Sequence, residues 1–371
     1  MAGQQSARPR EKDSNLGRVF IRDLKQTRLQ RDYLRELKDL YHFYLDDERR
    51  SRLDQMGRVR RAFSLLVWTG KSLLLKLSPP RRLALLISLV LLFLGWTEIG
   101  VVQNRLITTD LHPWGFLILL MVLMLELKDK LLARDEIEIA RQVQLALLPD
   151  EHADIPGWSV WSYSRPANDV GGDLVDYIEL DGFRHGVLLG DVAGKGLGAA
   201  LLTAKLQATL RALVPDAVSL DDLATRVNDI FFRDGLDNRF ATLFYGELEH
   251  NSGQLRYVNA GHNPPFLIRK DSVERLGPSW MPLGMFSSSS YTEHAERLET
   301  GDILLIYSDG LTEATNGADE EFGMERLEQM LPDFRTRRPQ EIGTRVLKAV
   351  DRFLGDARPT DDLSLVVIVK E

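Results

Sequence analysis

The sequence predicts an α+β domain preceded by an α-helical membrane region, and three observations carry that prediction. Two long apolar runs, Leu83 to Val102 and Leu111 to Leu127, stand in the first third of the chain. From Gly157 onward, short apolar or alternating runs bounded by turn residues follow one another, many without a helix between them. That order favours antiparallel pairing over a doubly wound sheet. Charge is divided as well: residues 1–134 carry 24 Lys and Arg against 14 Asp and Glu, and the remainder 23 against 40. A basic part ahead of an acidic one suits a membrane-proximal segment before a cation-binding domain, and argues against nucleic acid as a partner of the latter. With no cysteine, disulfides, thiolate catalysis and Cys-ligated zinc are excluded.

In chain order, residues 1–82 read as a cytoplasmic N-terminal helical region. The first fifteen are polar and lack the apolar content to fold. Between Leu16 and Met56, Tyr33, Leu34, Leu37, Leu40, Tyr41, Tyr44 and Leu45 recur at helical spacing, the pattern of an amphipathic helix. Ala62 to Leu77, with Trp68 and flanking cations, suits the membrane interface. Residues 83–127 read as a two-helix transmembrane hairpin, each apolar run approaching the ~20 residues a crossing needs. Arginines and lysines gather before Leu83 and after Leu127, while the connecting loop from Gln103 to Asp110 holds only Arg105. The positive-inside rule then puts both ends in the cytoplasm. Trp96 and Trp114 at the loop ends favour this over a buried hairpin in a soluble domain.

Residues 128–149 form a linker helix with Leu131, Ile137, Ala140, Val143, Ala146 and Leu147 along one stripe, ended by Pro149. Residues 150–371 make up the α+β domain. Strands are expected at Trp158–Ser164, Val175–Leu180, His185–Leu189, Ala241–Glu247, Leu255–Asn259, Phe266–Arg269, Ile303–Tyr307 and Leu363–Val369. Helices are expected at Ala199–Leu213, Ser219–Phe232, Met324–Leu331 and Gln340–Phe353.

Within this domain Gly190-Asp191-Val192-Ala193-Gly194-Lys195-Gly196 turns from a strand into a helix, a place to hold something small and charged. Asp173 after Gly171-Gly172, Asp309 before Gly310, and the pair Asp361 and Asp362 stand in similar settings. Aspartate is short, so a strand end fixes its oxygen closely. Oxygen-only ligation selects hard ions, Mg²⁺ or Mn²⁺. Two such ions can share a carboxylate and activate a water against a phosphoester without a protein nucleophile. Taken singly, an aspartate in a turn more often caps or bends the chain; the chemistry requires that the fold bring the four together.

The segments Ala140-Arg141-Gln142-Val143-Gln144, Val170-Gly171-Gly172-Asp173, Gly190 to Gly196, Phe240-Ala241-Thr242, Asn259-Ala260-Gly261-His262-Asn263-Pro264-Pro265, Tyr307-Ser308-Asp309-Gly310, Phe322-Gly323 and Thr360-Asp361-Asp362-Leu363-Ser364 follow in order. Over roughly residues 135–370 they resemble the bacterial SpoIIE/RsbU-type domain, a branch of the metal-dependent PP2C (PPM) serine/threonine phosphatases. The resemblance implies a β-sandwich of two antiparallel sheets flanked by helices. It implies two Mn²⁺ or Mg²⁺ ions held by Asp173, Asp191, the Val192 carbonyl, Asp309 and Asp361 or Asp362, with Asp361 favoured of that pair and Asp191 the bridge. Asp173 and Asp191 would be the catalytic pair.

The resemblance also implies a phosphorylated STAS-domain anti-sigma-factor antagonist as substrate, in partner-switching signalling. A homodimer through the linker helix would accompany it. In that reading the protein sits in the bacterial inner membrane with its phosphatase domain in the cytoplasm. His262 then shapes a strand connection rather than acting as an acid, Lys195 either touches phosphate or is solvated, and Asp176 lies near the site and would hold a metal-bound water. Leu174-Val175 replaces an aromatic pair frequent in the family, and no arginine stands out as a phosphate clamp. A catalytically weak phosphatase-like binding module is the alternative, and four retained aspartates speak against it. A two-metal nucleotide enzyme lacks a P-loop or base-stacking signature.

Overall fold

The computed structural model describes residues 52–53, 56–94, 96–102, 105–234, 239–250, 252–277 and 280–371. The amphipathic helix expected between Leu16 and Met56 lies almost wholly outside them. The chain divides into two units, Met1–Lys130 and Leu131–Glu371.

In the first unit α1 (Arg58–Lys76) and α2 (Pro79–Phe93) are joined through Ser78, with prolines at the first two positions of α2 where no N–H partner is lost. The expected crossing from Leu83 to Val102 does not form one helix. Helix α2 stops at Phe93, and β1 (Trp96–Val102) pairs antiparallel with β2 (Arg105–Asp110). The composition explains the switch: past Phe93 the run turns to Thr97, Ile99, Val101 and Val102, with glycines at 95 and 100, which favours strand over helix. What read as the connecting loop is the second strand of that hairpin. The second run lies within the 36-residue α3 (His112–Leu147). Gly115 lets α2 approach closely: a Cβ there would meet Leu92 Cγ and the Ser88 carbonyl at 3.0 Å. Ser88 and Val122 are buried at this contact, and Arg81 pairs with Glu126 and Asp129 at its end.

The second unit is built on two antiparallel sheets. One has the order β10-β9-β12-β13-β4-β3 and is formed by β3 (Asp154–Ile155), β4 (Trp158–Arg165), β9 (Phe266–Ile268), β10 (Val273–Arg275), β12 (Ile303–Tyr307) and β13 (Leu363–Lys370). The other has the order β11-β8-β7-β6-β5 and is formed by β5 (Asp173–Asp181), β6 (Arg184–Val192), β7 (Ala241–Glu249), β8 (Gln254–Ala260) and β11 (His294–Arg297). Strand alternation sorts their side chains into three layers. Leu189, Phe244, Ile306 and Val366 pack between the sheets. Leu188 and Leu243 point outward to α4 (Leu197–Leu213) and α5 (Leu220–Asp234). Leu365 and Val367 point outward on the other side, into a layer with Leu327 of α7 (Gly323–Met330) and Ile342, Val346 and Val350 of α8 (Pro339–Leu354). Both faces of the central strands are covered, so they read as continuous apolar runs.

The sandwich of two antiparallel sheets flanked by helices is the architecture the sequence predicts. Helix α4 is also, among the described residues, the one segment (Leu197–Asp216) long and apolar enough by composition to cross a bilayer. Its Ala199, Leu206 and Leu210 are buried in the domain core.

Candidate metal centre

The β5–β6 hairpin sets the first two carboxylates. Asp173 and Asp191 are Cα partners across one rung of its ladder, at the end away from the Asp181–Arg184 turn. Both share strand parity with Val175 and Leu189, which pack between the sheets. They therefore close one end of the sandwich. Asp173 is 5 % exposed, and its Oδ2 has no hydrogen-bond partner. Burial, then the charges of Asp191 and Asp362, push its carboxyl well above the usual carboxylate range.

Glycines let the backbone approach this pair. An ideal Cβ on Gly172 would lie 2.8 Å from the Val192 carbonyl oxygen and 3.2 Å from Asp191 Oδ1. One on Gly171 would lie 2.6 Å from Asp362 Oδ2, and one on Gly310 would lie 2.0 Å from the Asp362 carbonyl oxygen. A side chain at Gly172 would collide with the Val192 carbonyl and Asp191, and one at Gly171 or Gly310 with Asp362.

The other carboxylates come from the second sheet. Strand β12 ends at Tyr307, and Asp309 opens the single turn α6 (Asp309–Thr312). That turn is stitched to the start of β13: Ser308 Oγ donates to the Asp362 carbonyl, and Ser364 N donates to Ser308 Oγ. The two adjacent aspartates before β13 differ. Asp362 is buried, and its carboxylate accepts the backbone N–H groups of Ala167 (2.7 Å) and Gly172 (2.5 Å). Asp361 is half-exposed and pairs with Lys195 Nζ at 3.1 Å.

Electrostatics shows which groups share the cleft. Burial and then the charges of Asp309, Asp361, Asp362 and Glu313 push Asp191 up to about 7. Burial and Asp361 raise Asp309. Burial and Asp309 raise Glu313, which sequence reasoning did not single out. Its signal was present: it lies four residues after Asp309, one helical turn on. All five sequence-picked aspartates are thus brought together, with the Val192 carbonyl beside them.

No group of three or more His, Asp or Glu side chains among the described residues is arranged to hold a metal ion as it stands. The donor set nonetheless fits a hard divalent cation. It is oxygen-only, it includes a buried carboxylate oxygen with no partner, and its like charges are left mutually repelling.

Three further residues are placed differently from a catalytic role. Asp176 turns away from the cleft: fully buried, it takes Arg211 in a two-pronged pair at 2.7 Å and Gln207 at 3.0 Å. The alternation of β5 explains this, since Asp176 has the parity of Leu174 and faces α4. His262 is buried, with Nδ1 3.0 Å from Thr242 Oγ1, and burial pushes it down to about 4. It is neutral at pH 7 and serves the connection made by Gly261 at φ 76° and the Asn259 Oδ1 acceptor. Lys195 also donates to the Thr360 carbonyl at 2.6 Å, which commits it to the Asp361 loop.

On the far side of Asp173, the end of α3 meets α4. Gln144 Nε2 donates to the Gly171 carbonyl (2.8 Å) and Gln144 Oε1 accepts from Gly171 N (3.0 Å). Gln207 Nε2 donates to the Leu147 carbonyl at 2.9 Å. A cavity of about 170 Å³ lies between the helices, lined by Val143, Leu147, Leu174, Leu201 and Ala204 and floored by Asp173.

Comparison with known proteins agrees with this architecture. Residues 181–370 match the family described as Stage II sporulation protein E (SpoIIE). Protein IcfG of Synechocystis sp. is 29% identical over 237 residues, which span 56% of this chain and 37% of that protein. Phosphoserine phosphatase RsbU of Bacillus subtilis is 26% identical over 239 residues, 63% of this chain and 70% of RsbU. The solved PP2C phosphatase domain of SpoIIE from Bacillus subtilis, with a fragment of its regulatory domain, superposes with a TM-score of 0.52 at 21% identity. It covers 58% of this chain and 64% of that one. With half its length matched to the family and its two sheets arranged as in that domain, the chain belongs to the SpoIIE family, and its second unit has a PP2C-like fold.

Proposed function

We propose that this protein is a membrane-anchored, metal-dependent protein serine/threonine phosphatase. The observation that carries the reading is the convergence of Asp173, Asp191, Asp309 and Asp361 on one end of the sandwich, each raised or paired by its neighbours. Two divalent ions, Mn²⁺ or Mg²⁺, would supply Lewis acidity and a nucleophilic water. Asp173, Asp191 and the Val192 carbonyl would hold one ion, and Asp191, Asp309 and Asp361 the other. Asp362 ties the Gly171-Gly172 turn to β13, and Lys195 offsets the charge of Asp361. The substrate is a phosphoserine or phosphothreonine on a regulatory protein, for which the resemblance points to a STAS-domain anti-sigma-factor antagonist. Phosphate release from a phosphoserine protein is expected with Mn²⁺ or Mg²⁺, in the membrane fraction, and is lost on chelation with EDTA. Release that persists in EDTA would overturn the metal reading.

Anchoring through residues 83–127 is supported by the outward faces of α2 and α3, where Leu83, Val90, Phe93, Phe116, Leu120, Leu123 and Met124 are all exposed. Residues 1–82 and 128–149 flank that hairpin on the cytoplasmic side, ahead of the phosphatase domain at 150–371. The exposed Leu131, Leu132 and Ile139 on α3 support a homodimer through the linker. The Gln144 grip on Gly171 supports control of the site by that helix. Inserting two residues near Arg134 rotates everything beyond by ~200° relative to what precedes. Phosphate release is expected to change severalfold; unchanged activity in membranes would count against the linker as a switch.

A further inference from the structure

The segment from Trp280 to Phe286 is apolar, yet Met281, Met285 and Phe286 are 51%, 37% and 50% exposed. Its backbone is held firmly. Leu283 is buried and exchanges both backbone hydrogen bonds with Ala241, at 3.0 and 2.8 Å. The fully buried Asn228 donates to the Phe286 carbonyl at 3.0 Å and accepts from Gly284 N at 2.9 Å. A fixed backbone carrying adaptable methionine and phenylalanine side chains into solvent makes a shelf suited to apolar side chains of varied shape.

The shelf borders the carboxylate cleft. Ala241 pairs on its other side with Val192, so the Leu283 backbone stands two strand spacings, about 10 Å, from the Val192 backbone. Arg239 lies on the same edge. Its Nη1 donates to the Ala193 carbonyl at 2.6 Å and fills the space above Gly194, where a Cβ would come within 1.3 Å of it. Among the described residues no carboxylate pairs with this half-exposed guanidinium. Carboxylate cleft, a guanidinium with no carboxylate partner among the described residues, and apolar shelf therefore follow one another along one side of the domain.

We propose that this edge recognises the phosphorylated segment of the substrate: Arg239 takes a phosphate oxygen, and the Met281–Phe286 shelf takes apolar residues beside the phosphoserine. The inference rests on the phosphatase reading and specifies its substrate. An extended chain advances about 3.3 Å per residue, so the shelf meets side chains about three positions from the phosphoserine. Charge complementarity selects an anionic residue at Arg239, and the shelf selects against polar flanks.

The test uses the full chain with Mn²⁺ and two phosphoserine peptides of equal length and charge. One carries Leu, Ile or Phe at the flanking positions, the other Ser or Asn. The wild type is expected to favour the apolar peptide in kcat/KM by about tenfold or more. In a Met281→Ser, Met285→Ser, Phe286→Ser variant that ratio is expected to fall close to one. Arg239→Gln is expected to raise KM for both peptides, without a matching rise in the Mn²⁺ concentration for half-activation. A purely structural prop of the Gly194 turn would move both. Equal rates on the two peptides in the wild type, as for a shelf that touches lipid instead, overturn this inference alone. Release from neither peptide overturns it together with the phosphatase reading.

Discussion

Asp191→Asn is expected to cut metal-stimulated phosphate release by about a thousandfold, a loss of about 4 kcal/mol in transition-state stabilisation, while raising the melting temperature of the metal-free protein at pH 8. The two effects have one cause. Asp191 is buried beside Asp309, Asp361, Asp362 and Glu313, and its carboxyl is pushed from 3.8 up to about 7. A carboxyl with a folded pKa above its unfolded one keeps its proton in the folded state while the unfolded chain has lost it. Stability therefore falls as pH climbs from about 4 to about 7 and stays low above that window. The contribution is of order a few kcal/mol and is shared with the coupled Asp173 and Asp309. Asparagine removes the charge and the slope, and the melting temperature at pH 8 rises by about 5 °C. A divalent ion relieves the same repulsion in the wild type, so Mn²⁺ raises its midpoint and flattens its pH dependence; the variant responds far less. A wild-type midpoint that does not fall between pH 5 and pH 8 in EDTA would contradict this account.

Asp361→Ala and Asp362→Ala are expected to separate catalysis from stability at adjacent positions. Asp361 is half-exposed, its ion pair with Lys195 is open to solvent, and its charge raises both Asp191 and Asp309. Removing it costs about a hundredfold or more in phosphate release and leaves the melting temperature within a few degrees. Asp362 is a different kind of residue. Its loss strands the N–H groups of Ala167 and Gly172, the second fully enclosed, at a cost of about 2–4 kcal/mol. That is about 5–10 °C for a domain of this size. Thermal melts of both variants in EDTA, beside their Mn²⁺ activation curves, decide the matter. If Asp362→Ala melts like the wild type yet no longer responds to metal, the assignment of these two residues is reversed.

Much of the domain could be read from the chain because its long strands are covered on both faces. Leu188 and Leu189, or Val366 and Val367, serve opposite layers, so β6 and β13 stand out as apolar runs. The three strands missed in this domain are short: β3 has two residues, β10 has all three of its residues exposed, and β11 alternates between exposed and half-buried. On the membrane side the first apolar run changes from helix to strand at its end. An apolar run does not by itself choose between helix and strand, and the β-branched stretch from Thr97 to Val102 forms a strand. At the site, Asp173, Asp191 and Asp309 were legible because a glycine stands next to each, at 172, 190 and 310; Asp361 and Asp362 have none and stood out as an adjacent acidic pair before an apolar run. That Asp362 is tied down while Asp361 stays half-exposed depends on the backbone N–H groups of Ala167 and Gly172, almost two hundred residues away. Asp176 was misread for want of counting the strand's alternation. Arg239 was invisible because nothing in its neighbours says that Gly194 leaves room for a guanidinium.

The irregularity in the β5–β6 ladder, between Glu179 and Asp181, sits at the hairpin's closed end. Eight residues up the strand, Asp173 and Asp191 are measured off from each other by the regular stretch alone. The spare residue acts as slack: lengthening or shortening the turn can be absorbed at the kink before it reaches the paired acids. The tip that carries the exposed Phe183 is thus free to diversify, for new contacts or none, without the chemistry at the opposite end being retuned.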